Sequence, residues 1–84
     1  MTVTFQTNIL DKGYNGYANY ETWNVALWIQ NDEGLYNFAK TCGTYLEFAQ
    51  EMKELWGATK TPDGVSYSDA NLSLVELAEL MEDL

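Results

Sequence analysis

The chain has 84 residues, enough for one domain with a thin core, and its thirteen acidic side chains against four lysines give a net charge of −9. It contains neither arginine nor histidine. Direct binding to DNA or RNA is therefore not expected, because that affinity comes largely from basic side chains that displace counterions. The same charge disfavours an anionic membrane surface.

The single cysteine, Cys42, excludes an intramolecular disulfide and a cysteine-rich metal site, which is typical of a reducing cytoplasm. Residues 1–6 have no basic region and no long apolar run, so no signal peptide is expected. The longest apolar run, residues 25–29, is far below the ~20 residues that cross a bilayer. We therefore expect a soluble cytoplasmic protein.

An irregular N-terminal arm is predicted over residues 1–18, followed by a single helical domain over residues 19–84. Residues 2–6 alternate as in a short half-buried strand, but no partner strand is evident. Residues 11–19 are rich in glycine and asparagine and are expected to be loop. Chain termini are commonly poorly ordered, which also favours an irregular arm.

The first helix is predicted over about Tyr20–Asn31, with Asn19 as its N-cap and Glu21 in the first turn. At 100° per residue no face of this helix is convincingly polar, so it must be surrounded by the other helices or by a second molecule. Asn24 lies in the middle of the apolar segment. If buried, its amide needs hydrogen-bond partners, on a neighbouring loop or on a second copy.

Two further helices are predicted between Asp32, a second N-cap, and Gly57. Gly43 is expected to end the first of them in the left-handed conformation, or to kink one longer helix. Thr44 begins a capping box that Glu47 completes. The apolar stripes consist of Leu35, Phe38, Ala39 and Cys42, then of Tyr45, Phe48, Ala49, Met52, Leu55 and Trp56.

Residues 58–68 are the one clear linker, and the segment from Thr61 to Gly64 has turn chemistry around Pro62. Either a short hairpin or a surface loop fits this sequence. The last helix is expected to begin at Asp69, Asn71 or Ser73. Its predicted apolar face contains Leu74, Leu77, Ala78, Met81 and Leu84. The predicted fold class is thus mainly α, a small bundle of three or four helices.

No catalytic, cofactor-binding or metal-binding residue is predicted. Without histidine, the commonest general base and the usual activators of nucleophiles are missing. The glycines match no phosphate-binding fingerprint. Asp63, Gly64 and Asp69 lack the alternate spacing and terminal glutamate of a calcium loop. A non-enzymatic protein is therefore expected.

Two surfaces are candidates for contact with a protein partner. Because aromatic side chains dominate interface hot spots, an apolar patch on the first helix is the first candidate, either for another protein or for a second copy in a homodimer. It consists of Trp23, Trp28, Ile29 and Asn24. The structural alternative is that this helix is simply the centre of the bundle.

The acidic helix faces are the second candidate surface. Carboxylates one helical turn apart are separated by about 5.4 Å along the helix, which is close to the ~6–7 Å between successive phosphates of a nucleic-acid strand. This spacing predicts a nucleic-acid mimic that inhibits a DNA- or RNA-binding protein. The alternative is a solvated helix face with no binding role. The residues of this acidic face are Glu47, Glu51, Glu76, Glu79 and Asp83.

A resemblance to a known family lies in the first two predicted helices. The segment Asn19-Tyr-Glu-Thr-Trp-Asn-Val-Ala-Leu-Trp-Ile29, followed by Asn31-Asp-Glu-Gly-Leu-Tyr36, resembles the signature of a family of small uncharacterised proteins encoded by bacteriophages, cyanophages among them, by plasmids and by bacterial genomes. The likeness covers residues 17–36. It implies a mobile-element accessory protein that acts inside a bacterial host. It assigns no catalytic or binding residue. The function we favour from the residues themselves is binding to a host or phage protein through the apolar patch on the first helix.

Overall fold

Four α-helices make up most of residues 13–84, which are the residues that the computed structural model describes. No strand is present within this range, so the predicted mainly α bundle is confirmed for it. The predicted strand over residues 2–6 lies outside the described residues. The helices are α1 at Tyr20–Asn31, α2 at Glu33–Thr41, α3 at Tyr45–Trp56 and α4 at Leu74–Glu82.

Every helix begins at a side-chain cap that the sequence indicates. Asn19, Asp32, Thr44 and Ser73 each accept a hydrogen bond from the backbone N–H three residues further on, at 2.9 to 3.3 Å. Such a cap is worth about 1 kcal/mol. α3 ends as predicted, because Gly57 takes a φ of +65°, where a residue without a Cβ has no steric penalty.

Gly43 separates α2 from α3, but the left-handed conformation predicted for it is wrong. Among residues 13–84, positive φ values occur at Asn15, Gly16, Gly57 and Gly64. The N–H of Gly43 donates to Oε1 of Glu47 at 3.1 Å, and a Cβ at position 43 would lie 2.8 Å from that oxygen. A side chain at position 43 would therefore displace the Glu47 carboxylate from this position.

One hydrophobic core joins the four helices and the connection between α3 and α4. Phe48 is fully buried, and its ring centroid lies 5.6 to 5.9 Å from those of Phe38, Tyr45 and Tyr67, all in tilted or edge-on arrangements. Each such aromatic pair adds about 0.5–1.5 kcal/mol beyond its buried area. The buried cluster contains Val25, Ala26, Ile29, Ala39, Cys42, Tyr45, Phe48, Met52, Val65, Tyr67, Leu72, Leu77 and Leu80.

The buried face of α4 differs from the predicted one. Leu77 and Leu80 are buried, whereas Leu74 is 49% exposed and Ala78 is also exposed. The physical reason lies where α4 begins, because the N–H of Ser73 donates to Oγ1 of Thr22 on α1 at 2.9 Å. This bond joins the start of α4 to α1, and α4 packs against both α1 and α3, so the face with Leu77 and Leu80 is the one that is buried.

The connection around Pro62 is a minimal hairpin without regular strands. Lys60 and Ser66 form an isolated antiparallel bridge, and the N–H of Tyr67 donates to the carbonyl of Thr59 at 2.9 Å. Gly64, at φ +92°, closes the turn. The sequence fitted either a short hairpin or a surface loop, and the observed connection is intermediate between the two.

A tight turn lies at residues 14–17, within the segment expected to be loop. Tyr14 and Tyr17 exchange two backbone hydrogen bonds of 3.0 and 2.8 Å. Between them Asn15 and Gly16 have φ values of +51° and +91°, which are the positive angles of a type I′ turn. The Asn-Gly dipeptide is the sequence signal for this turn.

Candidate functional site

A groove of about 560 Å³ opens between α2, α3 and the connection that follows α3. Its volume lies within the ~300–1,000 Å³ of typical ligand sites. Most of its lining is apolar, and the charged lining residues are Asp32 and Lys60. The apolar lining includes Leu35 and Phe38 of α2, Met52 and Trp56 of α3, and Ala58, Pro62 and Tyr67 of the connection. We call this the Trp56 groove.

The groove exists because the apolar stripe of α3 continues beyond the core. Phe48 and Met52 are buried, but Leu55 and Trp56 in the last turn are 64% and 67% exposed. The Trp56 ring makes an edge-on contact with Phe38, with centroids 6.2 Å apart and planes at 87°. An exposed contiguous apolar surface is more informative than a single exposed leucine, since such patches often mark interaction sites.

The opposite wall of the groove is held to α1 by hydrogen bonds between side chains. Asn24, 1% exposed, donates from Nδ2 to Oδ2 of Asp63 at 2.9 Å, and its Oδ1 accepts from Oγ1 of Thr61 at 2.7 Å. The indole N–H of Trp28 donates to the same Oδ2 of Asp63 at 2.9 Å. We call these four residues the Asn24 network.

The electrostatics of the Asn24 network favour a charged Asp63. Hydrogen bonds from Asn24, and then from Trp28, lower the pKa of Asp63. The hydroxyl oxygen of Thr61 also accepts the N–H of Val65 at 3.1 Å, so this buried hydroxyl is satisfied as donor and as acceptor. The network therefore fixes the turn from Thr61 to Gly64, and Pro62 within this turn lines the groove.

The four residues predicted as an apolar contact patch are largely used within the chain. Ile29 is fully buried and Asn24 nearly so, and neither reaches solvent. Trp28 is half-buried and bonded to Asp63. Trp23, also half-buried, lies against the rings of Tyr14 and Tyr20, at centroid distances of 5.1 and 5.8 Å. A partner-binding role for this patch stays a prediction that rests on Trp23 and Trp28.

Three of the five predicted acidic-face residues come together. Glu76, Glu79 and Asp83 line one shallow depression of about 380 Å³ beside the Asn15–Gly16 turn. Glu76 also accepts the N–H of Ala18 at 2.9 Å. Glu47 and Glu51 do not line this depression. Their carboxylates lie instead near the α2–α3 connection, Glu47 against the N–H of Gly43 and Glu51 at 3.9 Å from the sulfur of Cys42.

Cys42 is buried, and burial, followed by the charge of Glu51, raises the pKa of its thiol. A thiol in this environment is a poor nucleophile, because the thiolate is the reactive form. Residues 13–84 contain no group of three or more Cys, Asp or Glu side chains placed to hold a metal ion. No helix in the same range has the length and apolar character to cross a membrane.

Sequence reasoning assigned Trp56 and Leu55 to the core stripe and so missed the groove. The available signal was their position immediately before Gly57. A stripe that ends at a helix terminus has covering segments on one side only, so its last residues are the least enclosed.

Comparison with known proteins gives one match. The model of a family of unknown function (DUF7249) matches residues 10–84. Neither a curated protein nor a solved structure matches the chain. The matched range contains all four helices, the Trp56 groove and the Asn24 network.

Proposed function

The chain belongs to this family of unknown function, and we propose that it is a non-enzymatic protein that binds another protein through the Trp56 groove. One observation carries the proposal: Trp56 is 67% exposed at the edge of an apolar groove. A chain of 84 residues forms only a thin core, so burying its large aromatic side chains is important for its stability. Tryptophan is also among the residues most enriched in binding hot spots.

The proposed setting is the cytoplasm of a bacterial host cell, with a host or phage protein as the partner. The resemblance of residues 17–36 to proteins of phages and plasmids supports a mobile-element accessory role. The lone buried Cys42 is compatible with a reducing compartment. The large negative charge keeps such a small protein soluble while its apolar groove is unoccupied.

The proposed contact surface differs from the patch expected on α1. The apolar side chains that make α1 hydrophobic all round, Val25, Ala26 and Ile29, are enclosed by the same chain. Their hydrophobicity therefore requires no second molecule. In the last turn of α3, by contrast, Leu55 and Trp56 are 64% and 67% exposed.

Affinity capture from a bacterial lysate tests the proposal. Wild type is compared with Trp56→Ala and with Val75→Ala, a matched control because Val75 is 71% exposed on α4 and lies outside the groove lining. At ~0.5 M salt, where charge contacts are screened, capture by wild type and Val75→Ala is expected to persist. Loss in Trp56→Ala alone supports the groove, and equal capture by all three proteins refutes it.

The second candidate function is a nucleic-acid mimic that inhibits a host DNA- or RNA-binding protein. The observation that favours it is the grouping of Glu76, Glu79 and Asp83 around one depression. In this case capture would vanish at ~0.5 M salt, because contacts between exposed charges are screened. Competition by DNA or RNA, and loss of capture in Glu79→Gln with Asp83→Asn, would support the mimic over the groove.

A further inference from the structure

We infer that the occupant of the Trp56 groove is a basic amphipathic segment of a protein, with its apolar face in the groove and its Lys or Arg side chains toward Asp32 and the acidic surface of the chain. The inference rests on the proposed function and adds the chemical class of the partner. Its support comes from the shape of the groove, from the charges at its edge and from the charge of the whole chain.

The shape of the groove suits one face of a helix better than a single side chain. Its lining comes from three segments: α2 contributes Phe38, α3 contributes Trp56, and the connection after α3 contributes Pro62. A volume of about 560 Å³ takes several apolar side chains in succession. Helices that dock in such grooves present anchors spaced three and four residues apart.

The groove lining has one charge of each sign, and Asp32 is the group that a cationic partner can contact. Asp32 is part of the lining, and its Oδ1 accepts the N–H of Leu35 at 3.0 Å, which leaves further acceptor capacity on the carboxylate. Its charge reaches into the groove, because it contributes, after burial, to the raised pKa of Tyr67. Glu33, the next residue along the chain, is exposed. Lys60 is the opposing charge in the lining.

The exposed face of Trp56 is a second site for a cation. An indole face attracts an ammonium or guanidinium group through the ring quadrupole. Long basic side chains also have aliphatic stems that cover apolar surface while their charged ends stay in water. A Lys or Arg at the edge of the partner segment would therefore cover the exposed face of Trp56 while its charged end stays in water.

The net charge of −9 separates this occupant from the others. A second copy of the chain would bring the same charge and be repelled over a distance of about one Debye length, ~8–10 Å at physiological salt. Nucleic acid and acidic segments are repelled for the same reason. A basic segment is steered toward the protein and gains from burial of its apolar face.

The experiment uses the full chain and three synthetic peptides of about four helical turns, roughly 15 residues each. The first has Leu and Trp on one face and Lys on the other, the second replaces Lys by Glu, and the third keeps Lys but replaces the apolar face by Ser. Binding is followed by fluorescence anisotropy of the labelled peptide at ~0.15 and ~0.5 M salt. The proteins are wild type, Trp56→Ala, Val75→Ala and Asp32→Asn, in which Asn keeps the helix cap while removing the charge.

The expected result has three parts. The Lys amphipathic peptide binds wild type at both salt concentrations, about ten-fold or more tighter than the Glu peptide, while the Ser-face peptide loses binding at high salt. Trp56→Ala weakens the Lys peptide by about ten-fold or more, and Val75→Ala by less than about two-fold. Asp32→Asn weakens the Lys peptide a few-fold and leaves the Glu peptide unchanged.

Three outcomes would overturn the inference, and they differ in what they leave standing. If the Glu peptide binds as well as the Lys peptide and depends on Trp56, the partner is not basic but the groove remains a binding site. If the affinity of the Lys peptide is the same for wild type and Trp56→Ala, or if no peptide binds, the groove does not bind a basic helix. If light scattering shows a wild-type dimer that Trp56→Ala converts to a monomer, the occupant is a second copy.

Discussion

The indole N–H of Trp28 donates a 2.9 Å hydrogen bond to Oδ2 of Asp63, a residue 35 positions further along the chain. The same oxygen accepts the side-chain amide of Asn24. These bonds explain why a polar residue lies in the middle of an apolar helix. Helical periodicity places Trp23 and Trp28, five residues apart, on different faces of α1. Trp28 there meets the turn around Asp63, and Trp23 meets Tyr14.

Asn24→Ala is expected to lower the free energy of unfolding by about 1–3 kcal/mol, because it leaves the buried hydroxyl of Thr61 without its acceptor. Urea denaturation measures the change. Gln30→Ala is the matched control, since Gln30 is an exposed amide on the same helix and surface changes usually stay within about 0.5 kcal/mol. Equal stability of the two variants would show that the network is not needed.

Acid titration tests the role of Asp63. Its hydrogen bonds from Asn24 and Trp28 lower its pKa below the ordinary value of 3.8. A carboxylate with a lowered pKa stabilises the folded state at pH values above its unfolded-state pKa, and that stabilisation is lost as the pH falls through its folded-state pKa. The stability difference between wild type and Asp63→Asn should therefore be constant above about pH 5 and shrink below about pH 4.

Glu79→Gln serves as the control for this titration, because Glu79 is exposed and has no part in the network. The stability difference between wild type and this variant is expected to stay small over the same pH range. A wild-type to Asp63→Asn difference that stays constant down to about pH 2 would contradict the account.

Tyr45→Phe tests a buried hydrogen bond on the other side of the core. The Tyr45 hydroxyl is buried and donates to the carbonyl of Tyr67 at 2.7 Å. Its loss is expected to cost about 1–2 kcal/mol at neutral pH, because the carbonyl is left unpaired. Calorimetric or urea unfolding of wild type and variant gives this value, and an unchanged stability would contradict it.

The same variant changes the response to alkaline pH. Burial, followed by the charge of Tyr67, raises the pKa of Tyr45 well above its ordinary value of 10.0. A raised folded-state pKa gives stability that is present below the unfolded-state pKa and lost as the pH rises above it, because the unfolded chain ionises first. Between about pH 10 and 12, stability should fall less steeply in Tyr45→Phe than in wild type. Parallel slopes would show that the phenol is not buried as described.

Trp56→Phe should alter tryptophan fluorescence without weakening the fold. Trp56 is 67% exposed, whereas Trp23 and Trp28 are half-buried. Removal of Trp56 is therefore expected to shift the emission to shorter wavelength and reduce quenching by acrylamide, with stability within about 1 kcal/mol of wild type. Trp23→Phe is the control and should leave the red-shifted, readily quenched component in place. If the red-shifted, readily quenched component persists in Trp56→Phe, Trp56 is not the exposed tryptophan.

Local chemistry predicted the helices well. The caps at Asn19, Asp32 and Thr44, together with the stop at Gly57, agree with the structure because each depends on residues within one helical turn. Gly43 was assigned the wrong conformation because its role depends on the carboxylate of Glu47, and glycine alone does not distinguish a left-handed turn from a close approach.

The groove and the Asn24 network depend on long-range contacts and were not predictable from pattern alone. Helical periodicity shows that Trp56 lies on the same stripe as Phe48, but it does not show where the covering segments end. Asn24 was expected to need partners, yet nothing in the local sequence indicates Thr61 and Asp63. The buried face of α4 likewise depends on its packing against α1 and α3, which are distant in sequence.

Photo-crosslinking from position 56 in bacterial cells tests the central claim most directly. A photoreactive phenylalanine analogue replaces Trp56 in one protein and Val75 in another, two exposed positions of which only the first lines the groove. The account predicts a light-dependent adduct with a partner protein from position 56 and none from position 75. Adducts that form when the analogue is at position 75, or at position 23 on α1, but not when it is at position 56 would contradict it.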